Sequence, residues 1–219
     1  MITSRIAATA MAAGLALAPG CRSTARTQQP AIVQPGAPGE TARVITAEQA
    51  TDLSAVRHTP ADVQFMQGMI GHHAQALEMS ALVPSRTANE DIRKLAQRIE
   101  ISQADEIRMM REWLQARGAP LPDEHAHHAH GAALMPGMLT PEEMKWLAAA
   151  TGAQFDELFL AGMIKHHEGA LTMVQELFEK PGAGQEPDIF AFASDVDADQ
   201  RMEIDRMGAL LARLKERQR

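Results

Sequence analysis

"GMIGHHAQALEM", from Gly68 to Met79, sets two adjacent histidines between methionines in an apolar run. Its apolar residues recur by threes and fours, the spacing of a helix that buries one face. Phe65, Met69, His72, Ala76, Met79 and Val83 fall on one stripe, and Met66, Ile70, His73, Leu77 and Ala81 on the adjoining one. Gln64, Gln67, Gly71, Gln75 and Glu78 make the polar back. Both imidazoles therefore flank or face a core.

The chain does this twice. "GMIKHHEGALTM", from Gly162 to Met173, repeats the pattern 94 residues later. Laid over each other, "FMQGMIGHHAQALEMS" from Phe65 and "FLAGMIKHHEGALTMV" from Phe159 share Phe, Gly, Met, Ile, both His, Ala, Leu and Met. Downstream, after a three-residue length change, "QADEIRMM" from Gln103 aligns with "QRMEIDRM" from Gln200. Each half reads as a helix pair, and the chain as a duplicated αα-hairpin.

Helix-boundary signals agree. Thr59-Pro60, followed by Asp62, opens a helix expected to end at Val83, before Pro84. A second runs from about Asn89 to Arg117, with Gly118 as its stop. "TPEE" at Thr140 opens a short helix ending near Gly152; long helices then cover about Ala153 to Glu179 and Pro187 to Arg219. A weaker helix is expected over Thr46 to Val56. The fold class is all-α, and four long helices with two tight hairpins make a four-helix bundle.

Composition supports this. Of 219 residues 45% are hydrophobic, yet there is no Tyr, six Phe and two Trp, so the core is aliphatic and rich in methionine. That suits helix packing better than sheet packing. The formal net charge of −7 argues against a nucleic-acid partner held through phosphates.

The chain organises as follows. Residues 1–20 read as an export signal: Arg5, then the short apolar run Ile6 to Ala18, too short and Ala-rich for a membrane span. "LAPGC" ends in Cys21, the only cysteine, and resembles the lipobox of bacterial lipoproteins, making Cys21 a candidate lipidation site and the membrane a partner through that lipid. Pro19 and the misplaced Leu depart from that pattern; an ordinary signal peptide is the alternative. Residues 21–58 read as a flexible tether, 59–118 as the first hairpin, 119–152 as a His- and Met-rich linker with a short helix, and 153–219 as the second hairpin. The working compartment is outside the cytoplasm, periplasmic or on the outer cell surface.

A buried imidazole needs a partner. One answer is structural: His72 and His166 hydrogen-bond Gln103, Gln200, Glu106 or Glu203. The other is a metal. Bundles that bind two irons use Glu-x-x-His pairs; here the spacing is Met-x-x-His, at Met69–His72 and Met163–His166. A soft thioether replaces a hard carboxylate, and thioethers select Cu(I). Met79 and Met173 lie further along the same stripes, and Met110 and Met207 approach from the partner helices. The candidate ligands are Met69, His72, His73 and Met79, with Met163, His166, His167 and Met173; face assignment favours His72 and His166. A methionine stripe is also ordinary core packing.

The linker "DEHAHHAHGAALMPGML", Asp123 to Leu139, holds His125, His127, His128 and His130, then Met135 and Met138. Short His-rich tracts bind Cu(II) or Zn(II) without a preformed fold. The alternative is a solvated, pH-sensitive connector.

The motif Phe-x-x-x-Met-Ile-x-His-His, then Ala-Leu-x-Met, then Gln-x-x-Glu-Ile-x-x-Met resembles the family named domain of unknown function 305, over about Thr59 to Leu214. The resemblance implies a ferritin-like four-helix bundle. It also implies an association of some members with copper in the bacterial envelope, with the family motif falling on the eight helical residues above.

Two further function classes stand beside copper binding. A ferritin-like oxidase lacks an inward Glu-x-x-His pair, and no nucleophile is framed by a base, so no catalytic residue is assigned. A metal-free interaction module uses the histidines as core hydrogen-bonding groups.

Overall fold

The computed structural model describes residues 30–34, 41–53, 56–122 and 134–217. The export signal, Cys21 and His125, His127, His128 and His130 lie outside them.

The chain divides into two compact units, one ending at Asp52 and one beginning at Leu53. The first holds an antiparallel ribbon, β1 (Ile32–Gln34) with β2 (Arg43–Ile45), pairing Ile32 with Ile45 and Gln34 with Arg43. It also holds a single helical turn, α1 (Ala47–Thr51), opened by a Thr46–Gln49 capping box. The ribbon was not anticipated from the sequence, and α1 is a shorter form of the helix expected over Thr46 to Val56. The tether's overall composition concealed two β-branched pairs, Ile32-Val33 and Val44-Ile45, which favour extended backbone. α1 stops well short of Val56, and none of its residues is buried to extend it by packing.

The second unit is a helical bundle. α2 (Pro60–Arg86) and α3 (Glu90–Ala116) form one hairpin; α5 (Gly152–Glu179) and α6 (Pro187–Arg217) form the other. The short α4 (Pro141–Ala149) touches α2 and α5. α2 packs on α5 down the centre, α3 lies on α2, and α6 lies on α5.

Caps set the helix starts. Thr59 and Asp62 form a capping box before Pro60, and Thr140 and Glu143 form another before Pro141. At the C-terminus of α3, Gly118 takes φ +64° while the Ala119 N–H reaches back to the Leu114 carbonyl. α2 runs through Pro84 to Arg86, past its expected end. Arg93 of α3 explains the extra turn: its guanidinium donates to the carbonyls of Pro84 and Thr87, satisfying acceptors that the helix end leaves open.

Two buried aspartates, Asp62 and Asp156, occupy equivalent places 94 residues apart near the starts of α2 and α5. Asp62 caps α2 with one carboxylate oxygen and accepts the Gly184 N–H of the α5–α6 loop with the other, at 2.7 Å. Asp156 accepts from the Asn89 side chain in the α2–α3 loop at 3.0 Å. Each half thus ties down the other's hairpin turn.

The core is split in two. One apolar cluster holds Phe65, Met69, Met110, Met173 and Val196; the other holds Met79, Ile99, Phe159, Met163 and Met207. Each draws on all four long helices. Between them, at mid-height, lies a polar layer: His72 and His73 of α2, Gln103 and Glu106 of α3, His166 and His167 of α5, and Gln200 and Glu203 of α6.

Candidate metal centre

All four histidines of the layer are fully buried. His72 and His166 face each other across the α2–α5 contact, ring centroids 3.8 Å apart and planes tilted by 37°. His73 and His167 turn outward, toward α3 and α6 respectively.

The ring nitrogens sort by partner. His73 Nε2 meets Glu106 Oε2 at 2.5 Å, and His167 Nε2 meets Glu203 Oε2 at 2.6 Å. His72 Nε2 lies 2.9 Å from the Pro136 carbonyl oxygen, and His166 Nε2 lies 2.8 Å from the His72 carbonyl oxygen. A carbonyl oxygen only accepts, so Nε2 of His72 and of His166 carries the proton. In a neutral imidazole that leaves the lone pair on Nδ1. The Nδ1 atoms of His72, His73, His166 and His167 are all buried without a hydrogen-bond partner.

The sequence left the partners of His72 and His166 open among Gln103, Gln200, Glu106 and Glu203. The carboxylates instead hold His73 and His167, and backbone carbonyls hold His72 and His166. Gln103 is buried with both polar atoms of its amide unpartnered, as is Gln200 Oε1. The layer carries more polar capacity than the chain itself satisfies, and each unmade buried bond costs about 1–3 kcal/mol.

Burial drives the charge state. Burial pushes the His72 imidazole down to about 3, the charge of His73 adds to this, and the Pro136 carbonyl opposes it. His166 is held well below its ordinary 6.5, by burial first and by the neighbouring imidazoles second. Both are neutral at physiological pH, the form that ligates metals. For Glu106, burial alone acts upward, but the hydrogen bond and charge of His73 and the Ser102 hydroxyl outweigh it, and its carboxyl sits below the usual range.

The thioethers lie on either side. Met69 and Met173 share one apolar cluster, and Met79 and Met163 share the other. The helices cross antiparallel, so the two methionines of each helix point into different ends of the bundle. Met110 joins the first end and Met207 the second. Among the described residues, no three His, Cys, Asp or Glu side chains converge on one point that would hold an ion.

Sequence reasoning missed one element, a strap over the α2–α5 contact. Residues 135–139 lie across it, with Met138 and Leu139 buried. Gln75, expected on the polar back of α2, is buried and binds the strap twice: its amide donates to the Leu139 carbonyl at 2.9 Å and accepts the Leu139 N–H at 2.7 Å. Gly137, at φ +72°, presses against the Lys165 carbonyl and Gly169, and a β-carbon on Gly169 would strike the Pro136 carbonyl. The paired glycines were the available signal. They permit a backbone-to-backbone approach that no larger residue allows.

Comparison with known proteins finds the same fold in solved structures. A crystal structure of a DUF305 protein from Streptomyces coelicolor, predicted to be secreted, is 35% identical with TM-score 0.60, covering 71% of this chain and 94% of that one. A DUF305 fragment from Deinococcus radiodurans is 33% identical with TM-score 0.62, covering 71% and 98%. CopM in its Cu(II)-bound form is 25% identical with TM-score 0.55, covering 69% and 96%; in its Cu(I)-bound form it is 26% identical with TM-score 0.53, over the same shares. A curated relative, uncharacterized protein L153 of Acanthamoeba polyphaga mimivirus, is 43% identical over 56 residues. That match spans 26% of this chain and only 37% of the relative's length. The model of the family described as Domain of unknown function (DUF305) matches residues 62–211, and the chain belongs to that family.

Proposed function

We propose that this protein binds and sequesters copper outside the cytoplasm, holding Cu(I) in the bundle through imidazole Nδ1 atoms and methionine sulfurs. One observation carries the reading. Four buried imidazoles have Nε2 engaged by carboxylates or carbonyls while every Nδ1 stands unpartnered. That is the arrangement of a metal-ligating histidine, whose far nitrogen is anchored by an acceptor that sets the tautomer and the ring angle. His72 and His166 are the principal nitrogen donors. Glu106 and Glu203 anchor His73 and His167 rather than ligate. Met69, Met79, Met163 and Met173 are the sulfur donors.

The donor set fits copper better than its competitors. Neutral imidazole and thioether together favour Cu(I), whereas ferric iron, Mg(II) and Ca(II) prefer carboxylate and water oxygens. The two CopM structures hold copper in either oxidation state on a related fold, which supports the same cargo here. The His125–His130 tract is read as a second, looser site for Cu(II) or Zn(II). An export signal over residues 1–20 and a lipid on Cys21 would place the bundle at the envelope membrane.

The test is an anaerobic titration of the full chain with Cu(I) against a chromogenic Cu(I) chelator. His72→Ala with His166→Ala should lower the affinity by an order of magnitude or more. Deleting residues 125–130 should change Cu(II) uptake and leave Cu(I) binding intact. Wild-type affinity in the double variant would remove the layer as the site.

A further inference from the structure

Twice along the α2–α5 contact, a glycine stands where a side chain would otherwise fill the space. At Gly68, a β-carbon would lie 3.4 Å from Met173 Cε and 3.5 Å from Met135 Sδ. At Gly162, 94 residues later, it would lie 3.3 Å from Met79 Cε and 3.2 Å from Leu139 Cδ2. The two places are the same helix contact seen from its two ends. They differ in what the strap brings: a thioether at one, a hydrocarbon at the other.

The strap holds this difference in place. The Met138 N–H donates to the Met135 carbonyl in a tight turn, His72 donates to Pro136, and Gln75 binds Leu139 twice. Gly137 lies backbone to backbone on Gly169. Met135 is therefore pinned over Gly68, packed against the apolar cluster that contains Met69 and Met173. Sliding the strap to exchange Met135 for Leu139 would break all of these contacts at once.

We infer that Met135 is an additional Cu(I) ligand at the Met69–Met173 end, and that the Leu139-covered end, with Met79 and Met163, binds Cu(I) more weakly. This rests on the copper reading above and adds to it an unassigned ligand and an inequality between the two ends. The chemistry is lone-pair donation alone. Cu(I) keeps its oxidation state, the thioether is neutral before and after, and no proton is released. The sulfur that the strap adds at one end favours the soft monovalent ion there. His72, one turn from Met69 along α2 with its Nδ1 unpartnered, is the nitrogen donor assigned to this end.

Three variants of the full chain test this in the same anaerobic chelator competition, with copper-edge X-ray absorption counting sulfur ligands. Met135→Leu keeps the side-chain volume, so its melting curve should match wild type. Its tighter Cu(I) site should weaken roughly tenfold or more, with one sulfur fewer around the metal. Met79→Leu should leave the tighter site unchanged and weaken the second. Leu139→Met should strengthen the second site toward the first. Wild-type affinity and sulfur count in Met135→Leu would overturn the inference while leaving the copper reading intact. A wild-type chain that takes up no Cu(I) would end both.

Discussion

His166 donates its Nε2 hydrogen to the backbone carbonyl of His72 at 2.8 Å, and the two ring centroids lie 3.8 Å apart with their planes tilted by 37°. A side chain of one half is thus anchored on the backbone of the other. The bond fixes His166 as a neutral ring with Nδ1 free, and the ring cannot turn without losing its acceptor. The centre of the bundle is preorganised by backbone rather than by flexible side chains, which lowers the ordering cost of binding a ligand there.

This geometry sets the pH dependence of stability. His72 titrates at about 3 when folded against 6.5 for the free side chain, and His166 is displaced in the same direction. The unfolded chain therefore binds more protons than the folded one between these limits. Stability is full above about 6.5 and falls as pH drops toward 3, by about 1.4 kcal/mol per pH unit for His72, with His166 acting in the same direction. Urea denaturation at pH 7.5, 6 and 5 should show this slope. His72→Gln with His166→Gln should flatten it.

Copper binding should resist mild acid. A proton competes with the metal for Nδ1 only at and below the pKa of the imidazole, and His72 is still the neutral ring, protonated on Nε2 alone, at pH 5. Cu(I) affinity corrected for the chelator should change little from pH 7 to 5. A surface His-rich peptide should lose affinity over the same range.

Saturating the protein with Cu(I) should raise its stability. A ligand at 100 times its dissociation constant adds about 2.7 kcal/mol when it binds only the folded state. The melting temperature should rise on loading and return when a chelator strips the metal. His73 and His167 should keep their carboxylate bonds throughout, readable as unchanged imidazole N–H resonances.

Glu106→Leu should destabilise the apo protein by roughly 2–3 kcal/mol, because it strands a buried His73 Nε2 and the Ser102 hydroxyl. Glu106→Gln keeps an acceptor and should cost less. The midpoint of chemical denaturation separates the two.

Gly169→Ala should detach the strap. Its β-carbon would overlap the Pro136 carbonyl, the acceptor for His72. The cost is expected at about 1–3 kcal/mol, with fast hydrogen exchange at the Leu139 amide once its bond to Gln75 opens. Protection at Leu139 equal to wild type would contradict the strap's role as a clamp.

Much of the bundle was legible along the chain. Thr59-Pro60-x-Asp62 and Thr140-Pro141-x-Glu143 announce helix starts because capping is a local interaction between residues three apart. The three-and-four spacing around His72 and His166 places both in the interior because a helix fixes which residues share a face. The recurrence of the same motif 94 residues on points to matched roles. The sequence by itself therefore determined a helical bundle with buried histidines and methionines in two corresponding sets. Helical period says which way a side chain points and nothing of what waits opposite. Only the tertiary structure decided that carboxylates take His73 and His167 while carbonyls take His72 and His166. Only the antiparallel crossing of α2 and α5 put Met69 with Met173 and Met79 with Met163. Gln75, polar and read as solvent-facing, became interior because a distant strap offered its amide two backbone partners. Contacts of that kind depend on residues some sixty positions away, where local rules have no reach.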